Sequence, residues 1–107
     1  MDAPVDADLE RLLALLARPL PYLPAPVGRL LTRWRLALTR VPVVVQLRPG
    51  CAPERLIRWV RHRHGRPGPA LELADAFAAQ LPVAALEELR RDPEVTLVVL
   101  DRTGHAL

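Results

Sequence analysis

Between Val41 and Asp101 the hydrophobic pattern switches back and forth between a period of two and a period near 3.6, and that rhythm leaves few folds open. Val43, Val45 and Leu47 alternate with Val44, Gln46 and Arg48, as in a strand with two different faces. Pro49-Gly50 turns the chain. Pro53 opens a helix to His64 whose Leu56, Ile57 and Val60 share one side, with Arg55, Arg58, Arg61 and Arg63 mostly outward. His64 to Pro69 reads as a loop, Leu71 and Leu73 mark a short strand, and Asp75 sits near a tight reversal. Phe77, Ala79 and Leu81 mark the next strand. Val83 to Arg91 reads as a second helix, with Leu86 and Leu89 inward and Glu87 and Arg91 placed as an i, i+4 pair. It stops at Arg91-Asp92-Pro93, and a strand runs from Glu94 to Asp101.

Strand, helix, strand, strand, helix, strand predicts an α+β chain: a ferredoxin-like βαββαβ sandwich with a four-stranded antiparallel sheet covered on one face by two helices. Leu56, Val60, Leu86, Leu89, Val45, Leu47 and Phe77 are the expected core. A sheet with one wet face should be polar on that face. The last strand is not, because Val98 and Leu100 alternate with the equally apolar Leu97 and Val99. Val44, Ala76, Ala78, Val98 and Leu100 are expected on the uncovered face. Such a face needs a cover: the N-terminal helices, a second copy or a partner.

The first 40 residues form an N-terminal helical extension in this reading. Leu9, Leu12, Leu13 and Leu16 make one helical stripe over residues 6–18, with Asp6 or Asp8 as the cap and Pro19 as the stop. Residues 19–26 are too proline-rich for either regular structure and read as a connector. A second helix is expected over 27–39, with Val27, Leu30, Leu31, Trp34 and Leu38 on one face. Helices this short are unstable alone, so both stripes should pack. The expected divisions are 1–40, 41–103 and a tail, 104–107.

Several chemistries are excluded or disfavoured. The chain has no Ser, so it cannot supply a Ser-His-Asp triad. His62 and His64 are two apart on a helix and point in different directions, and no second Cys or His pair completes a metal set with Cys51. No metal or cofactor is expected. Cys51 alone cannot form an internal disulfide. No apolar run reaches the roughly 20 residues of a membrane span, and the start lacks a basic leader region. The expected location is cytoplasmic, with no membrane partner. The Arg-rich helix could follow phosphates, but the sheet has only Phe77 where an RNA platform needs several aromatics, so no nucleic-acid partner is expected.

Particular segments resemble the prodomains of subtilisin-like serine proteases. Val44-Val45-Gln46-Leu47-Arg48-Pro49-Gly50 matches the family's opening V-V-x-L-x-P-G, and Phe77-Ala78-Ala79-Gln80-Leu81 matches F-x-A-x-L, with Ala78 where Gly is commoner. The helix from Ala84 ending in Asp92-Pro93-Glu94-Val95 matches the helix and D-P-x-V stop. The extension, with its Pro- and aromatic-rich joint, is similar in layout to the intracellular subtilisin-like proteases of the AprX type. This resemblance implies an intramolecular chaperone and inhibitor rather than an enzyme, with a subtilisin-like catalytic domain as partner, in cis or in trans. It implies that the sheet packs on two helices of that partner and that Gly104, His105, Ala106 and Leu107 lie in its cleft as a product-like strand. Leu107 then fills the primary specificity pocket, and Gly104 departs from the apolar residue usual at the fourth subsite. Asp75 is the candidate for capping a partner helix. The residues also allow a ferredoxin-like regulatory or dimerisation module, and an Arg-rich nucleic-acid-binding module.

Overall fold

The computed structural model describes residues 2–18, 22–71 and 75–101. The element order is α1 (Ala7–Leu16), α2 (Ala25–Leu38), β1 (Arg40–Leu47), α3 (Glu54–His62), β2 (Arg66–Leu71), β3 (Ala76–Pro82), α4 (Val83–Leu89) and β4 (Val95–Leu100). The sheet order is β2-β3-β1-β4, with all neighbours antiparallel. This is the expected ferredoxin-like α+β fold with a helical extension in front.

Strand β1 is rich in β-branched residues, which suit a pleated, packed surface. It sits between β3 and β4, and its odd-numbered residues Val41, Val43, Val45 and Leu47 are buried against the helices. Phe77, Ala79 and Leu81 extend that layer on β3, and Leu56, Val60, Leu86 and Leu89 close it from α3 and α4. All seven expected core residues are buried.

Two local devices set the helix ends. Helix α3 stops where His64 takes a φ of 60° and the Gly65 N–H bonds back to Val60 O at 2.9 Å. A Cβ on Gly65 would lie 2.7 Å from both Leu81 Cδ2 and Val60 Cγ1 and 2.9 Å from Gln80 O, so only glycine lets the chain pass this close to β3. After α4, Asp92 Oδ1 accepts the Glu94 N–H at 2.9 Å and fixes the turn into β4. Arg55 ties α3 to the same turn, with Nη2 at 2.9 Å from Asp92 Oδ2 and 3.1 Å from Glu94 Oε2. Hydrogen bonding to Asp92, and then to Glu94, raises the guanidinium pKa.

Two local expectations are corrected. Residues 66–69 are not loop but the start of β2. Pro67 and Pro69 are accommodated because β2 is an edge strand and its register shifts between Pro67 and Ala70. Leu73 lies outside the described residues. Glu87 pairs with Arg90, at 3.5 Å, rather than with Arg91. The start of the extension packs on the domain. Val5 pairs in parallel with Val98, with Val98 N–H to Pro4 O at 3.1 Å and Asp6 N–H to Val98 O at 3.2 Å. Asp6 Oδ1 caps α1 at Leu9 N (3.2 Å) and also accepts the Leu100 N–H (3.0 Å). Ala3 exchanges bonds with Arg90, and the side chains of Ala3 and Leu9 lie in the main core.

Leu89→Ala is expected to cost about 2–5 kcal/mol in urea unfolding, because the site is sealed and cannot collapse freely. Gly65→Ala should cost about 1–3 kcal/mol by overpacking against Val60 and Leu81. A change below about 0.5 kcal/mol for either would contradict the packing described.

Candidate functional site

The sheet face turned away from the helices is the part of the fold whose chemistry is left unused by packing. Directly opposed residues of antiparallel strands share a face, so the register defines it. Val44 opposes Ala78 on β3 and Val99 on β4; Gln46 opposes Ala76 and Leu97; Pro42 opposes Gln80. None of these residues belongs to the core cluster under the helices.

The face has relief. Ala76 and Ala78 are 3% and 4% exposed, low-lying in the sheet. Beside Ala78 the edge strand β2 brings Gly68, where an added Cβ would lie 3.1 Å from the Ala78 Cβ. The branched side chains of Val44, Leu97 and Val99 stand higher and are partly exposed. On β3 this side is buried at Ala76, Ala78 and Gln80, and its partly exposed apolar area is the ridge of Val44, Leu97 and Val99 over β1 and β4. By the same register Arg40, opposite Pro82, and Arg66, opposite Gln80, lie at one end of this face, whose other polar members include the amides of Gln46 and Gln80. It can offer shape and apolar area, not acid–base or nucleophilic chemistry.

The structure brings Val44, Ala76 and Ala78 together on this face, as expected. Val98 and Leu100 are corrected: they oppose Val45 and Val43 and face the helices. Val98 is fully buried, and Leu100 packs against the core. Leu97 and Val99 take their place on the open face. The reason is a shift of register: Leu47 opposes Val95, but Gln46 opposes Leu97, so Thr96 is the extra residue. Val95 and Val98 can then both point inward, which strict alternation forbids. The Thr96 hydroxyl, bonded to Gln46 O at 3.2 Å, marks the spot. The only sequence signal was that one polar residue in an otherwise apolar strand.

Asp75 sits at the hairpin before β3 with a φ of 45°, exposed, its carbonyl accepting the Leu47 N–H at 2.8 Å. Gly104, His105, Ala106 and Leu107 lie outside the described residues, which end at Asp101, bonded through its N–H to Pro42 O at 3.0 Å. The extension does not cover the open face: residues 3–6 guard the β4 edge, and α2 lies beside α4 in the helix layer.

Elsewhere, a cavity of about 580 Å³ separates α2 from α4, lined by Gly28, Thr32 and Leu36 on one side and Val83, Ala84 and Glu87 on the other. The Thr32 hydroxyl is buried there without a hydrogen-bond partner among the described residues. On α3, Arg55 is held by Asp92 and Glu94, and Arg63 bonds Glu88 at 2.9 Å and lies over the Trp59 ring at 5.7 Å. Two of that helix's arginines are thus already paired. Among the described residues, no group of three or more His, Cys, Asp and Glu side chains converges, and no helix is long and apolar enough to cross a membrane. Comparison of the chain with known protein families, with curated proteins and with solved structures found no match.

The two sides of β4 make opposite predictions. Val98→Arg should unfold the chain or cost several kcal/mol, since the charge enters a sealed apolar core. Val99→Arg should change stability by less than about 1 kcal/mol. Circular dichroism with urea titration of the pair checks this, and a reversed order would overturn the register.

Proposed function

We propose that this chain acts as a prodomain of a subtilisin-like serine protease, an intramolecular chaperone and cleft-occupying inhibitor with no catalytic activity of its own. The observation that carries the reading is the sheet face turned away from the helices, where Val44, Leu97 and Val99 form a partly exposed apolar ridge over β1 and β4. An apolar sheet face of that kind can pack on helices, and the sequence resemblance implies a partner that presents two. In this reading Gly104 to Leu107 pair in the protease cleft as an added strand, with Leu107 in the primary pocket. Asp75, exposed at the β2–β3 hairpin, caps one of the partner's helices, where backbone amides favour negative charge. A cytoplasmic setting is part of the proposal and agrees with a single free thiol.

The test is an inhibition constant against a subtilisin-type protease, measured for the intact chain and three variants. Leu97→Arg and Val99→Arg should stay folded and weaken inhibition at least about tenfold, or about 1.4 kcal/mol. Deleting residues 104–107 should weaken it similarly while leaving thermal stability nearly unchanged. Equal constants for the intact and truncated chains would remove the product-like tail. Equal constants for the face variants as well would remove the inhibitor reading. If the face variants instead turn a dimer into a monomer, the face pairs with a second copy and the chain is a dimerisation module.

A further inference from the structure

Helix α2 carries its apolar stripe on the outside. Val27, Leu30, Leu31, Trp34 and Leu38 recur at helical spacing on one side, and each is between 40% and 78% exposed. Tyr22, just ahead of the helix, is 78% exposed. The side turned to the body is made of Gly28, Thr32 and Leu36 and meets α4 across the cavity already described. A 14-residue helix is marginal in water unless its apolar face is buried. Here the weaker face is packed and the stronger one is wet. The expectation that this stripe packs within the chain is therefore not met.

The charge around the stripe says what could cover it. From residue 11 to residue 53 the chain contains seven Arg and no Asp or Glu. At 3.6 residues per turn, Arg35 borders the stripe on one side and Arg33 lies beyond it on the other, where it also lines the cavity. Both can lay their stems along it and carry their charge to its margins. Arg35 uses one N–H on Arg18 O, at 2.9 Å, and has others to offer. A second copy seated on this stripe would set like charges against each other. An anionic lipid surface offers hydrocarbon to the ridge and phosphate to its flanks, the pairing that basic amphipathic helices with aromatic anchors use.

We infer that α2 is an interfacial anchor that lays Val27, Leu30, Leu31, Trp34 and Leu38 into an anionic lipid surface, with Arg33 and Arg35 on the phosphates. The lack of a spanning segment does not bear on this, because such a helix lies in the interface and does not cross it. The anchor is independent of the inhibitor reading. It sits in the helix layer, and the open sheet face is on the opposite side, so a docked partner and a lipid surface do not compete.

The experiment is flotation of the full chain with vesicles of phosphatidylcholine mixed with phosphatidylglycerol, and with phosphatidylcholine alone. Binding should be at least about tenfold tighter to the anionic vesicles and should weaken with salt. In a Trp59→Phe chain, the remaining Trp34 emission should shift to the blue on binding. Trp34→Glu should reduce binding at least about tenfold with unchanged circular dichroism. Leu38→Glu, at a still more exposed position, serves the same purpose should Trp34→Glu not fold. Absence of binding to anionic vesicles overturns the inference, and so does binding that both variants leave intact. A dimer in sedimentation that Leu38→Glu converts to monomer, without vesicle binding, assigns the stripe to a second copy and overturns it as well.

Discussion

Strand β1 is hydrogen-bonded on both sides, to β3 and to β4, and its side chains alternate between a sealed face and an open one. The rest of the structure depends on that ladder. Val43 and Val45 bring Ala79, Leu100, Phe77 and Val98 under the helices, and Val44 and Gln46 bring Ala78, Val99, Ala76 and Leu97 to the other side. Because the period is two, a slip of one residue in either neighbour exchanges the whole set. The register shift at Thr96 is such a slip, confined to one place and kept. It lets β4 bury Val95 and Val98 together while turning Leu97 and Val99 outward.

The N-terminal segment solves a different problem. An edge strand with free N–H and C=O groups is a template for unwanted pairing. Residues 3–6 occupy the β4 edge, and the Asp6 carboxylate serves both the first turn of α1 and the Leu100 N–H. At the other end of the sheet, β2 is blunted by Pro67 and Pro69. With both edges managed, the apolar surfaces left over are the faces: the sheet side opposite the helices and the outer side of α2. They differ in kind. The sheet face presents Val44, Leu97 and Val99 from paired strands, suited to another protein's helices, and the α2 stripe is a convex ridge with arginines on its flanks. The proposed roles follow that difference.

Much of the fold was legible because the helices obey their period without interruption. Leu56 with Val60 and Leu86 with Leu89 could be placed inside from spacing, as could the stripe led by Leu9, with the cap narrowed to Asp6 or Asp8. The candidate site was half legible. Val44, Ala76 and Ala78 fall where alternation from Val43 and Phe77 puts them. Val98 and Leu100 do not, because a strand apolar on both sides carries no phase of its own and the extra residue at Thr96 is invisible to a strict count. Pro67 and Pro69 misled for the opposite reason: they mark a loop in most settings, and only an edge position with a shifted register makes them strand residues.

The sequence by itself determined the order of helices and strands, though not the start of β2, and hence a ferredoxin-like sandwich, since that order follows from local periodicity and from the short connections between elements. It also determined that the chain has no serine nucleophile and that its basic charge is all arginine, which are matters of composition. Only the tertiary structure decided which side of β4 is buried, that Ala3 and Leu9 complete the core of a domain that begins 40 residues later, and that the α2 stripe faces water. Those outcomes depend on contacts between residues far apart in the chain. A hydrophobic pattern states that a face is apolar; what lies against that face is settled by the geometry of the elements around it.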